Sequence, residues 1–185
     1  MKIGIAGAKG SFSEEASGVY ATRFGIANPQ LEYLISVESV LGNLTEEKID
    51  LGIFPIENSN GGIVIEAVHA MAKYSFKIER LFEIEVNHCL LVKSGKHAHD
   101  VTLITSHDQA IKQCRMYLKR AWGTVKLVEY ADTAKAAKDL SEGTLSDTTA
   151  VIAPKKAAEL YGLDVLEENI QDLKFNYTTF IAAIK

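Results

Sequence analysis

An α/β fold with mainly parallel sheets is the architecture that this sequence predicts, and three observations carry the prediction. Strand-like and helix-like segments alternate along the whole chain. Three polar stretches, "GAKGSFSE", "PIENSNGG" and "TSHDQA", each follow directly on a strand-like run. Of 185 residues, 47% are hydrophobic and 24% charged, the balance of a soluble protein with a core of real size. In open sheets of this kind ligands bind outside the carboxyl ends of strands, so polar loops at those ends can converge on one pocket. The length suits one domain or two small lobes.

The elements follow in order. "KIGIAGA" reads as a short buried strand. Ser11 and Glu14 form a capping box that opens a helix, continued at helical spacing by Phe12, Ala16, Val19, Tyr20 and Phe24 and stopped by Gly25. "LEYLI" is a strand, and Ser36 caps a helix bearing Val37, Val40, Leu41 and Leu44. "IDLGIFPIEN" alternates Ile49, Leu51 and Ile53 until Pro55 ends the ladder. A helix is predicted over residues 63–73, and "FEIEVNHCLLV" is one long extended run. "VTLIT" leads into the single helix "SHDQAIKQCRMYLKRAW", with Ala110, Ile111, Cys114, Tyr117 and Leu118 on one face. "VKLVEYA" is a strand, Asp132 caps "TAKAAKDLSEG", and "TTAVIAP" is a strand whose Pro154 opens the helix "PKKAAELYG". "LDVLEEN" and "TTFIAAI" complete the set.

Net charge is −4, which argues against a general affinity for nucleic acid or for an acidic membrane surface. An anionic ligand must therefore be held by local donors. Cys89 and Cys114 are too few for a disulfide framework or a zinc ribbon. The glycine-broken start "MKIGIAGAKG" is a buried strand and not a secretory signal, so a cytoplasmic protein with reduced thiols is expected.

Each polar motif has a bland and a sharp reading. "GAKGSFSEE" lacks the third glycine of a dinucleotide fingerprint; it is a plain helix entry or an anion site made by free N–H groups with the Ser11 and Ser13 hydroxyls. In "PIENSNGG", Glu57, Asn58, Ser59 and Asn60 make a solvated turn or a set of groups that bind a small polar ligand. Ser106 and Gln109 have capping-box spacing, so a structural role accounts for both, and His107 in the first turn is expected to be neutral. His97 and His99 read as a surface loop, and His88 and Cys89 as packed core residues. Asn176, Thr178 and Thr179 crowd the entry of the apolar terminal strand; buried polar groups need partners, and a cleft explains three of them together.

Taken in order, "GAKGSFSEEA", "FPIENSNGGIV", "NHCLLV", "SHDQAIKQC", "DTAKAA", "AAELYGLDVLEENIQD" and "NYTTF" resemble the prephenate dehydratase domain over essentially all of residues 1–185. The resemblance implies two similar α/β lobes joined by two crossing strands, as in type 2 periplasmic binding proteins. The crossings fall at about residues 84–92 and 176–184, with lobe one at residues 1–80 plus 176–185, lobe two at 81–175, and the substrate in the cleft between them. It implies conversion of prephenate to phenylpyruvate with loss of carbon dioxide and water, without metal or organic cofactor. It further implies a small-molecule substrate as the partner, and a homodimer or homotetramer is expected because small α/β enzymes often associate. The family commonly carries a C-terminal regulatory ACT domain, and none is expected in this chain.

By the same resemblance Thr178 is the catalytic threonine of a Thr-Arg-Phe motif, and Ser11, Glu57, Asn58, Ser59, Ser106 and Gln109 match residues that line the cleft. Thr179 occupies the arginine position. A guanidinium holds a carboxylate in two-point fashion, which a hydroxyl cannot do. Lys9, Lys135 and Lys155 are candidate replacements. Lys135 is singled out because "DTAKAA" stands for Ser-Thr-Ala-Glu-Ala-Ala, so a base replaces an acid there. The alternatives are an arogenate dehydratase, a prephenate decarboxylase that does not aromatise the ring, and a cleft-type binding protein without turnover.

Overall fold

The computed structural model describes residues 1–185. In chain order its elements are β1 (Lys2–Ile5), α1 (Phe12–Arg23), β2 (Gln30–Tyr33), α2 (Val37–Thr45), β3 (Leu51–Asn58), β4 (Gly62–Ile63), α3 (Ile65–Met71) and β5 (Lys77–Glu85). There follow β6 (Cys89–Lys93), β7 (Leu103–Ser106), α4 (Asp108–Gln113), α5 (Arg115–Ala121), β8 (Lys126–Glu129), α6 (Thr133–Ser141), β9 (Thr149–Ala153), α7 (Lys155–Tyr161), β10 (Leu163–Glu168) and β11 (Tyr177–Ile184). The chain divides into two compact units. The first holds Met1–Ala8, Phe12–Glu85 and Tyr177–Lys185; the second holds Lys9–Ser11 and Val86–Asn176.

In the first unit the sheet runs β2-β1-β3-β11-β5, with β4 beside β3. Alternate residues of β11 serve two cores. Phe180 stacks on Phe82 (ring centroids 5.8 Å apart), which meets Tyr20 of α1. Ile181 and Ala183 join Val37, Val40, Leu41 and Leu44 of α2 and Ala67 and Ala70 of α3. Helix α2 starts where the sequence places it, because the Ser36 hydroxyl accepts from the Ser39 N–H at 3.1 Å. It can lie this close to the sheet because β3 has glycine at position 52: a Cβ there would sit 2.7 Å from Val40 Cγ1.

The ladder does not end at Pro55. Strand β3 runs on to Asn58, and the register against β11 shifts between Thr179 and Phe180, so that Phe180 faces Pro55 and Thr179 faces Glu57. A bulge absorbs the proline, which has no N–H to give to the ladder, and three further residues remain in the sheet.

In the second unit the sheet runs β10-β6-β9-β7-β8. Its core holds Leu90, Val92, Ile104, Ala110, Cys114, Tyr117, Leu118, Trp122 and Ile152 in one cluster, and Leu91, Ala136, Ala137, Leu140, Val151 and Ala157 in another. Asp132 caps α6, accepting from the Lys135 N–H at 2.7 Å. The expected long helix after β7 is two helices broken at Cys114. The break is imposed from 55 or so residues away: the Asp172 carboxylate accepts from the N–H groups of Met116 (2.7 Å) and Tyr117 (2.8 Å), so α5 has its own capped start. The run "FEIEVNHCLLV" likewise divides, β5 going to one sheet and β6 to the other.

Both sheets are mixed, not mainly parallel. The pairs β1–β2, β1–β3, β7–β8 and β7–β9 are parallel, and the other five pairings are antiparallel. Parallel pairing is confined to strands joined through helices, while β5, β6, β10 and β11 are laid against strands that run the opposite way.

One buried group in β9 is left unsatisfied: the Thr149 hydroxyl has no hydrogen-bond partner. Thr149→Val keeps the β-branched shape and removes that cost, so urea denaturation should show a gain of about 1 kcal/mol. A loss instead would mean that the hydroxyl finds a partner in solution.

Candidate active site

The polar entry of β11 is built against the end of β3, inside the first unit. Ser59 N–H donates to the Tyr177 carbonyl (2.9 Å), and Tyr177 N–H donates to Ser59 Oγ (2.9 Å). Asn58 lies between these contacts and is buried. Its Oδ1 accepts from the N–H groups of Asn60 (2.9 Å) and Gly61 (2.6 Å). Its Nδ2 donates to the Tyr177 carbonyl (3.0 Å) and to Thr178 Oγ1 (2.9 Å). Thr178 is 7% exposed. Its hydroxyl is thus an acceptor for Asn58, and its own proton has no acceptor within the protein.

Thr179, one residue on in the strand, projects from the opposite face of the sheet. Its hydroxyl lies 3.3 Å from Glu57 Oε2 and 3.4 Å from Glu83 Oε1, so it has a carboxylate on each neighbouring strand. A shallow cavity of ≈ 520 Å³ opens here, lined by Arg23, Leu81, Phe82, Glu83, Tyr177 and Thr179. Thr178 is not among its walls. Period two alone separates the two hydroxyls, and they serve different surroundings.

The other expected site residues belong to the second unit. Ser11 is buried in the segment before α1. Ser106 ends β7, fully buried, and donates its hydroxyl to the Ile152 carbonyl at 2.6 Å. It does not cap the next helix: His107 does, its Nδ1 accepting from Gln109 N–H at 3.3 Å, which needs an unprotonated Nδ1. The expected capping box is therefore absent, since with His107 as N-cap the third helical residue is Ala110, which has no side-chain acceptor. Gln109 leaves its side-chain Oε1 buried without a partner. Lys135 Nζ bonds Asp139 Oδ2 at 2.5 Å one helical turn on, and Tyr130 donates to the same oxygen. That ion pair raises the Lys135 pKa and lowers that of Asp139 against the cost of its burial. Lys155 pairs with Glu168, while Lys9 is exposed and its carbonyl accepts from the Tyr161 hydroxyl at 2.7 Å.

A second polar cluster escaped the sequence reading. His88 Nε2 lies 2.7 Å from Gln113 Oε1, and Asn176 Nδ2 donates both to that oxygen (2.8 Å) and to the Val86 carbonyl (2.9 Å). With Asn176 donating to Oε1, His88 Nε2 must donate as well, which fixes its tautomer. Burial pushes the His88 pKa down to about 4, although the Gln113 bond opposes the shift. The only signal in the sequence was a set of polar residues in apolar runs; which ones meet is decided by the fold. Cys89 and Cys114 are buried, and burial raises both thiol pKa values, so neither is an activated nucleophile.

A family model described as "Prephenate dehydratase" matches residues 3–184. The chain belongs to the prephenate dehydratase family. It is 33% identical over 183 residues to arogenate dehydratase 1 of Petunia hybrida, covering 98% of this chain and 41% of that protein. It is 34% identical over 177 residues to prephenate dehydratase of Methanocaldococcus jannaschii, covering 94% of this chain and 61% of that protein. A solved prephenate dehydratase from Arthrobacter aurescens, in complex with L-Phe, superposes over 100% of this chain and 60% of that one, with TM-score 0.81 and 27% identity. A periplasmic substrate-binding protein of an ABC transporter from Coxiella burnetii shares the fold alone, at TM-score 0.54 and 15% identity over 98% of this chain and 84% of that one. The chain thus spans 41% to 61% of the length of the two curated relatives named.

For this prephenate dehydratase family member the buried imidazole has a consequence for stability. The folded His88 pKa of about 4 lies below the ordinary 6.5, so between these values the unfolded chain binds the extra proton. Stability is fully present above pH 6.5 and falls as pH drops toward 4. Between pH 7 and pH 4.5 the His88 contribution should fall by roughly 2–3 kcal/mol, one pKa unit being about 1.4 kcal/mol. Urea titrations of the wild type and of His88→Gln over that range should differ by this slope; parallel curves would show that His88 is not buried neutral.

Proposed function

We propose that this chain catalyses the decarboxylating dehydration of prephenate to phenylpyruvate, with Thr178 donating to the departing oxygen. The carbon–carbon bond to the ring carboxylate breaks and carbon dioxide leaves. The electron pair enters the ring as the carbon–oxygen bond on the far side breaks, and the hydroxyl departs with that bond's electrons and takes a proton from solvent to become water. The ring gains aromaticity, which supplies the driving force. The protein must hold two carboxylates and stabilise negative charge on the leaving oxygen. A threonine hydroxyl ionises far above neutral pH, so it works as a fixed hydrogen-bond donor. Such help at a leaving group is worth about 10²–10⁴-fold.

One observation carries this reading: a nearly buried hydroxyl held as an acceptor by Asn58, its own proton uncommitted. Gln109, with a buried side-chain oxygen lacking a donor, supports a place among the substrate contacts. Ser11, Glu57, Asn58, Ser59 and Ser106 enter the proposal by their match to the family motifs.

Arogenate is the second substrate to consider, because the relative from Petunia is an arogenate dehydratase. It differs from prephenate by an amine in place of the keto oxygen. Loss of prephenate without phenylpyruvate would mark a non-aromatising decarboxylase, and binding without product a cleft-type binding protein. No helix is long and apolar enough to cross a membrane, and the two isolated thiols suit a reducing compartment such as the cytoplasm. A homodimer or homotetramer belongs to the same proposal, and sedimentation velocity measures it.

Turnover is read from phenylpyruvate absorbance in alkali, or from phenylalanine when arogenate is supplied. Thr178→Ala should lower kcat by about 10²–10⁴-fold, the worth of the donor, with the fold intact by circular dichroism. Undiminished turnover would remove Thr178 from the chemistry.

Thr179 and Lys135 stand in the proposal as a lost cation and its replacement, yet each has a local occupation, between Glu57 and Glu83 and against Asp139 respectively. Thr179→Arg and Lys135→Ala decide between the two. If the local roles are the whole of it, the first raises Tm and both leave the KM for prephenate within about twofold, because each pairing then acts only on its own neighbours. A KM lowered by the arginine and raised by the alanine would restore the compensation.

A further inference from the structure

We infer that Asn58 is a positioning residue that sets the direction of the Thr178 hydrogen bond, and not a contact to the substrate. The inference rests on the dehydratase reading above and begins with a primary amide whose two ends cannot be exchanged. Asn60 N–H and Gly61 N–H can only donate, and both point at one atom of the Asn58 amide, at 2.9 Å and 2.6 Å. That atom is therefore the oxygen. The NH₂ group is fixed by the same constraint. One of its protons goes to the Tyr177 carbonyl, which can only accept, and the other goes to Thr178 Oγ1 at 2.9 Å. Both ends of the amide are thus occupied by protein groups, and the side chain is only 2% exposed.

The consequence falls on Thr178. A hydroxyl beside an acceptor would spend its proton on that acceptor. Beside the Asn58 NH₂ it must accept, and its proton is turned elsewhere. The four-residue turn Asn58–Gly61 thereby decides whether Thr178 can donate at all.

Asn58→Asp tests this with almost no change of shape. One carboxylate oxygen keeps the Asn60 and Gly61 donors. The other replaces the NH₂ and now demands the Thr178 proton. At neutral pH kcat should fall by about 10²-fold or more, the lower end of what a donor at a leaving group contributes, with KM within about threefold. As pH is lowered and the aspartate takes up a proton, kcat should recover toward that of the wild type, a rise that the wild type does not share. In a Thr178→Val background the same substitution should cost nothing further. A purely structural Asn58 would yield neither the pH-dependent recovery nor the loss of effect in Thr178→Val. A raised KM with kcat preserved would make Asn58 a substrate contact and overturn the inference.

A measurement without turnover separates this inference from the dehydratase reading itself. In NMR spectra the two Asn58 side-chain amide protons should both be shifted downfield and slow to exchange, and Thr178→Val should move one of them upfield. If neither moves, the hydrogen bond is absent and the inference fails, whatever the activity. If one moves while the wild type turns over neither prephenate nor arogenate, the geometry stands, but the dehydratase reading falls and the catalytic role assigned to Asn58 falls with it.

Discussion

A primary amide buried with two backbone N–H donors on its oxygen has lost the freedom to flip, and the Asn58 amide is in that state. Its NH₂ then acts as a two-pronged donor across the β3–β11 pairing, one prong on the backbone of Tyr177 and one on the side chain of Thr178. The backbone prong holds the mouth of β11 in register, with help from the reciprocal bonds between Ser59 and Tyr177. The side-chain prong sets the polarity of the Thr178 hydroxyl, the donor of the proposed reaction. Loss of the amide would leave buried donors and acceptors without partners, which is far more costly than the modest gain that each bond brings. Register and chemistry are thus coupled at one residue.

The bulge opposite Pro55 belongs to the same device. A strand that stopped at the proline would not carry Glu57 and Asn58 up to Thr179 and Thr178. The extra residue absorbs the missing N–H and lets the ladder resume for the residues that matter. Beyond it, alternation gives the two threonines opposite neighbours: an amide and a core on one side, two carboxylates and a shallow cavity on the other. The acidic surroundings of Thr179 would suit a cation as well as the hydroxyl that stands there. Either satisfies Glu57 and Glu83, and neither stands on the face that Thr178 uses.

Local chemistry was legible in the sequence wherever the cause was local. Ser36 and Asp132 cap the helices that they were expected to cap, because an N-cap needs only its own next turn. The last strand and the apolar face of α2 follow from periodicity, whereas α1 buries Ser13, Ala16, Ser17, Tyr20 and Ala21, sharing only Ala16 and Tyr20 with the expected face, and leaves Phe24 exposed beyond its end. What could not be read was set from a distance. Asp172 cuts one predicted helix in two by capping Met116 and Tyr117, and no pattern within residues 107–121 announces it. The parallel sheets became mixed because β11 and β10 return from far along the chain. At the site, Thr178 and the loop after β3 came from the resemblance, and the opposed faces of Thr178 and Thr179 were implicit in period two. The His88–Gln113–Asn176 cluster joins residues up to 90 positions from their partners, and only the fold brings them together.

In the proposed reaction, the choice of a threonine as the donor follows from charge. Prephenate, the proposed substrate, brings two carboxylates to a chain whose own net charge is −4. A carboxylic acid in the same place would have to stay protonated at neutral pH to be of use, which takes a strongly apolar pocket and leaves a repulsive charge whenever the proton is lost. A hydroxyl has no such second state. It gives a hydrogen bond without adding charge or titrating, and its whole contribution depends on direction. That dependence makes an aimed hydroxyl need a fixed neighbour, and a neutral amide with both ends pinned is a neighbour that cannot reverse.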